Sequence, residues 1–184
     1  QRKGILDLFA AIPAVVKRVK NVRFLLAGQD NSHHDGFQQR EGMDYPTYFA
    51  RRYGEYGSHV RFLGRVSDEE LNGLYRSCDL FVAPSLYESF GLIYLEAMNY
   101  AKPVIGCRSG GVPEVVEEGV TSLLVEPHSP DALADALVTL LQSPRRLREM
   151  GLAGRQRLLE RFTYLEMARR FAQAYRQVIT KKQE

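Results

Sequence analysis

Five short apolar runs, each followed by a stretch with helical spacing, set what this chain can fold into. They lie at 22–28, 60–64, 79–83, 103–107 and 123–125. Such runs are too short for helices, and without polar alternation they fit strands buried on both faces of a parallel sheet. The intervening segments carry helix signals. Ile5, Leu8, Phe9, Ile12, Val15, Val16 and Val19 recur at helical spacing, with Pro13 as a point of kink or restart. Ser67-Asp68-Glu69-Glu70 has the form of a capping box, and its helix continues through Leu71, Leu74 and Tyr75. Ser129-Pro130-Asp131 sets an N-cap, a proline at the first helical position and an acid in the first turn, ahead of a helix over 133–141. Thr163-Tyr164-Leu165-Glu166 repeats the capping box and opens a final helix at about 163–180. Strands alternating with helices along all 184 residues predict an α/β doubly wound parallel sheet with helices on both faces, in a single domain, 1–184.

One of these strand-to-helix turns carries two carboxylates: Tyr87-Glu88-Ser89-Phe90-Gly91-Leu92-Ile93-Tyr94-Leu95-Glu96-Ala97-Met98. Pro84 and Ser85 stop the strand, and the helix expected over 91–100 is apolar almost all round, limited by Pro103. The first amides of a helix lack intrahelical partners and stand at the positive end of its dipole, which suits a phosphate. Gly91 has no side chain to hold a bulky anion off. Glu96 lies about 7–8 Å of helix rise further on and leans back toward the N-terminus, too far for phosphate but in reach of hydroxyls one sugar away. Glu88, on the turn, is placed to do the same on the other side. A diphosphate flanked by polyols describes a nucleotide sugar. For Glu88 the plain alternative is a capping carboxylate, common before helices. For Glu96, an unpaired charge in an apolar helix is costly unless a ligand or partner meets it.

Two glutamates seven residues apart around Ser-Phe-Gly-Leu resemble the signature of the retaining glycosyltransferases of GT-B architecture, the glycosyl transferases group 1, which include glycogen, sucrose and mannosyl transferases. Val60-Arg61-Phe62-Leu63-Gly64 followed by Val66 and Asp68, and Gly110-Gly111-Val112-Pro113-Glu114, match the same family in order and spacing. The likeness covers nearly the whole chain and implies the C-terminal, donor-binding, Rossmann-like domain. It implies a nucleoside-diphosphate sugar as donor, with Lys3, Ser89, Phe90, Gly91, Leu92 and Ile93 near the diphosphate. It also implies Glu96 on the ribose, backbone at Val66 near the base, and Glu88 at the donor sugar and reaction centre. No cofactor or metal is implied. Acceptors (a sugar, a lipid or a small molecule) would bind through an N-terminal domain outside this sequence, toward which the final helix would reach. Family members place a strand ahead of Lys3-Gly4; here it is expected to be missing, so that an isolated chain would be inactive.

Where the residues leave two readings, both stand at this point. Gly110-Gly111 opens backbone to a ligand or makes a tight turn. Lys3 is a phosphate partner or an ordinary terminal charge. Asp68 reads as a first-turn helix charge ahead of a nucleoside contact, and Glu114 as a helix-end charge rather than a catalyst.

Composition narrows the classes. A net charge of +3 is too small to argue for nucleic acid. The basic residues between Arg145 and Lys182 are interspersed with acids and read as a solvated helical face, so a membrane surface is a possible partner that nothing indicates. Cys78 and Cys107 lie in or beside apolar strands and read as free thiols. His33-His34, in a long polar stretch over 29–58, reads as solvent loop, because adjacent histidines rarely share one ion; a helix is expected over 45–56. Without a membrane span or signal peptide, the expected location is the cytoplasm. Alternatives are a non-catalytic nucleotide-sugar module and a related GT-B enzyme such as an epimerase or phosphorylase. A nicotinamide oxidoreductase is disfavoured, since no Gly-x-Gly-x-x-Gly follows a strand.

Overall fold

A computed structural model describes residues 2–181. Among them α1 (Ile5–Arg18) runs through Pro13 as one helix and leads to β1 (Phe24–Ala27). The polar stretch folds into α2 (Phe37–Glu41), α3 (Tyr45–Tyr53) and a 3-10 turn (Gly54–His59) before β2 (Val60–Gly64). Then follow α4 (Asp68–Ser77), β3 (Phe81–Ala83), α5 (Leu92–Asn99), β4 (Val104–Cys107), α6 (Val112–Val115) and β5 (Ser122–Val125). Three helices close the chain: α7 (Pro130–Leu141), α8 (Pro144–Arg161) and α9 (Tyr164–Lys181).

All strand pairs are parallel, in two sheets of order β2-β1 and β3-β4-β5. A six-stranded doubly wound sheet has the order 3-2-1-4-5-6. Remove its first strand and the remainder is this pair of fragments, with β1 and β3 left as edges. The α/β expectation holds.

Alternation along the strands shows helices on both faces of the larger sheet. Val82, Ile105, Cys107, Leu123 and Val125 point into one cluster, with Phe9, Ile12 and Val15 of α1 and Leu133, Leu137 and Leu140 of α7. Phe81, Ala83, Val104 and Leu124 point the other way, among Tyr75 of α4, Tyr94, Ala97 and Met98 of α5, and Val112 and Val115 of α6. The first cluster also spans the smaller sheet, where Phe9 meets Phe49 and Phe62 edge-on at 4.9 and 5.9 Å. Successive strand residues face opposite sides, so each strand of the larger sheet serves both cores.

Helix starts differ in how far the sequence signals are realised. At Ser67 the capping box forms in full, with hydroxyl and Glu70 carboxylate each taking a backbone N–H. At Thr163 only half of it forms: Oγ1 accepts from Glu166 N at 3.2 Å, while the Glu166 carboxylate turns to Arg169 and Arg170. Ser129 holds the N-cap position without a capping bond. The run of basic residues after 144 is more than a charged face, because it contains α8, an 18-residue helix.

Candidate functional site

Most segments marked by the sequence meet at the C-terminal edge of the β3-β4-β5 sheet. Beyond β3, Pro84 and Ser85 are buried and the chain turns through Leu86, Tyr87 and Glu88. Neighbouring loops clamp this turn. Leu86 N donates to the Arg2 carbonyl at 2.8 Å, Ser109 Oγ donates to Leu86 O at 2.6 Å, and Gly111 N donates to Glu88 O at 2.8 Å. A Cβ at Gly110 would lie 2.0 Å from Glu88 O, and one at Gly111 would lie 2.4 Å from Ser89 O. The two glycines therefore let the loop after β4 press against the turn backbone, which is the tight-turn reading.

The turn ends at Gly91, which caps α5 at φ 94° without a side-chain bond. The Tyr94 ring lies under it, and a Cβ at Gly91 would come within 2.7 Å of that ring. Tyr94 is fully buried, donates its hydroxyl to Ala83 O at 2.7 Å, and lies against Gly106 of β4. One phenol thus ties the end of β3, the turn and the start of α5 together. Above it, Ser89, Phe90 and Leu92 are exposed and Ile93 is partly buried, so the helix start faces solvent. Phe90 stands edge-on to Phe162, 6.1 Å away, where α8 ends.

The two glutamates differ from the sequence expectation in their environments. Glu88 is the buried one, at 7% exposure, and it forms an ion pair with Lys3. Burial works against its charge, but the Lys3 ammonium, the Ser85 hydroxyl and Arg2 prevail and hold the carboxyl below its ordinary value. Ser85 Oγ is itself buried and makes no hydrogen bond of good geometry, so its help is electrostatic. Glu96, expected in an apolar setting, is exposed. Its Oε2 accepts a hydrogen bond from Tyr75 of α4 at 3.0 Å. The apolar helix has a solvent-facing strip, and that strip carries the charge.

Val66 is partly buried in the loop between β2 and α4, and no hydrogen bond links it to the α5 turn. Asp68 and Glu114 are exposed in first helical turns, as expected. His33 and His34 are exposed, and among the described residues no three His, Cys, Asp or Glu side chains gather as a metal cluster. Cys107 is buried and Cys78 partly so; both are free thiols, and burial pushes both up in pKa, Cys107 to about 11. A concavity is lined by Arg108, Glu117, Glu118, Arg157 and Arg161, and there Arg108 pairs with Glu118 and Arg157 with Glu117. Among the described residues no helix is long and apolar enough to cross a membrane.

Sequence reasoning missed Tyr75 and Tyr94. Both were visible only as apolar positions on helices, because a tyrosine at core spacing does not announce where its hydroxyl goes.

The fold and the crevice put this chain among doubly wound α/β domains whose ligands meet the C-terminal edge of the sheet. The chain belongs to the family described as glycosyl transferases group 1, which matches residues 1–143, and it corresponds to the C-terminal half of the GT-B architecture. It is 39% identical over 151 residues to D-inositol 3-phosphate glycosyltransferase of Corynebacterium glutamicum, covering 81% of this chain and 34% of that one. Sucrose-phosphate synthase from Thermosynechococcus elongatus superposes with a TM-score of 0.79 at 34% identity, over 98% of this chain and 43% of that chain. Anabaena HepE in complex with UDP shares the fold at a TM-score of 0.79 and 24% identity, over 96% of this chain and 46% of its own. The chain thus spans about a third of that curated relative and under half of each of these solved structures.

Proposed function

We propose that this chain is the donor-binding domain of a retaining glycosyltransferase that moves a sugar from a nucleoside diphosphate to an acceptor hydroxyl. The observation that carries the reading is the placement of Glu88 and Glu96 on either side of a helix start that has no side-chain cap and faces solvent. Amides of Phe90, Gly91, Leu92 and Ile93, together with the α5 dipole, take the diphosphate. Lys3, half exposed beside Glu88, swings its ammonium to the same oxygens. Glu96 accepts from the ribose hydroxyls, and backbone near Val66 meets the base. Glu88 contacts the donor sugar at the reaction centre.

Charge on the departing diphosphate grows as the glycosidic bond breaks. Fixed donors aimed at that charge stabilise the transition state more than the ground state, so the chemistry needs no metal. Front-face attack by the acceptor hydroxyl retains the anomeric configuration. The acceptor, a sugar, a lipid or a small molecule, binds mainly to the other half of the GT-B architecture, so the domain alone binds donor weakly and does not turn over.

Calorimetric titration of UDP, GDP and ADP into the full-length protein, repeated on Glu96→Ala, tests the reading. One nucleotide should bind selectively, and the substitution should weaken it at least tenfold. A wild-type protein that binds none of the three overturns the donor-site assignment. Binding without transfer or slow donor hydrolysis points instead to a non-catalytic nucleotide-sugar module.

A further inference from the structure

Glu96 projects from the exposed strip of α5, where a carboxylate on a flexible stem has several rotamers open to it. It is nevertheless held, and the residue that holds it comes from another helix. Tyr75 of α4 is 6% exposed, and its hydroxyl donates to Glu96 Oε2 at 3.0 Å. The ring is fixed from behind. It stacks on Tyr100 with centroids 5.7 Å apart and planes 10° from parallel, and it meets Phe81 of β3 at 5.6 Å. Tyr100 is anchored in turn, since its hydroxyl donates to Asn72 Oδ1 at 2.7 Å and Arg76 lies over its ring at 5.7 Å. A stack running from β3 through α4 to the end of α5 therefore terminates in one hydroxyl, and that hydroxyl meets Glu96.

We propose that Tyr75 is a positioning residue for recognition of the donor ribose, setting the plane of the Glu96 carboxylate so that its remaining acceptor sites face a cis-diol. The inference rests on the donor-site reading above. Each carboxylate oxygen accepts about two hydrogen bonds. Tyr75 takes one site on Oε2, and Oε1 has no hydrogen-bond partner among the described residues. Three sites remain, in a plane that the phenol has fixed. A ribose with two adjacent hydroxyls needs two of them in that plane, and preorganising them removes the rotamer entropy that binding would otherwise cost. Burial and the neighbouring carboxylate both push the Tyr75 hydroxyl above its ordinary pKa, so it remains a donor throughout the working pH range. The same helix begins two residues after Val66, so α4 addresses the base at its start and the ribose at its third turn.

The test compares UDP, GDP and ADP with their 2′,3′-dideoxy counterparts by calorimetry on the full-length wild type, Tyr75→Phe, Glu96→Ala and the double variant. Tyr75→Phe keeps the ring stack and loses only the donor. It should weaken the ribonucleotide about 3- to 10-fold, the range for the net contribution of one ordinary hydrogen bond, and leave the dideoxy nucleotide unchanged. In the Glu96→Ala background it should change neither. Equal weakening of both nucleotides would mean a general distortion of the site and would overturn the inference, as would undiminished ribonucleotide binding by Tyr75→Phe. If the wild type binds none of the three ribonucleotides, the donor-site reading itself fails, an outcome distinct from either of those.

Discussion

Glu88 is buried and Lys3 is not, and that asymmetry decides how the pair behaves. Removing a carboxylate from water is costly, and the cost is met here by an ammonium that keeps half its surface in solvent. Because the folded state holds the Glu88 pKa below its unfolded value, its charge contributes stability above the ordinary carboxylate range. That contribution is lost as pH falls through the depressed folded pKa. Wild type should therefore exceed Glu88→Gln in melting temperature at pH 7, by the equivalent of about 1 kcal/mol at most given the exposed lysine. The gap should begin to close as pH falls below about 5 and keep narrowing as it falls further. Thermal melts of both proteins across that window check it, and a gap independent of pH would show that the ion pair contributes no pH-linked stability. Also at this scale, Tyr94 explains why residues far apart in sequence depend on one another. Gly91 and Gly106 both leave room for one ring, and Ala83 accepts its hydroxyl.

Among the elements, α8 is the least legible in sequence. Its buried face is built on Met150, Gly151 and Gly154 rather than on large apolar residues, so hydropathy shows mainly arginines. The glycines are there because α8 crosses close to the end of α5. A Cβ at Gly151 would lie 2.0 Å from Ala101 O, and one at Gly154 would lie 3.2 Å from Met98. Gly151→Ala should force the helices apart and cost about 2 kcal/mol, within the range for overpacking. Gly73, inside α4, has nothing within 4 Å of its would-be Cβ. The same substitution there should stabilise by about 1 kcal/mol through helix propensity. Denaturant unfolding of the two variants should move in opposite directions; equal effects would overturn the close crossing. α9 presents Leu165, Phe171, Tyr175, Val178 and Ile179 to solvent.

At the scale of the whole molecule, the sheet divides. β4 has a strand on each side and four buried residues, while β1 and β3 each have one open edge. In a parallel strand alternate amides point to opposite neighbours, so an edge leaves half of them unpaired. Hydrogen exchange on the 184-residue chain should find every β4 amide slow and alternate amides of β1 and β3 fast. Uniform protection across the three strands would mean that the open edges are covered.

The sequence by itself determined the strand–helix alternation, the parallel sheet, the strand-to-helix turn that carries both glutamates, and the family. Each of these rests on local periodicity, on turn residues or on fixed spacing, and such signals are written within a few turns of chain. Tertiary structure alone decided which glutamate is buried, that Lys3 pairs with Glu88, that Gly110-Gly111 presses on the turn, and that Tyr75 holds Glu96 while Tyr94 holds the turn. The side-chain bonds among these contacts join residues 11 to 85 positions apart, and burial depends on whether a helix strip meets a core or solvent. No local pattern encodes them, because the packing of whole elements sets both burial and partner.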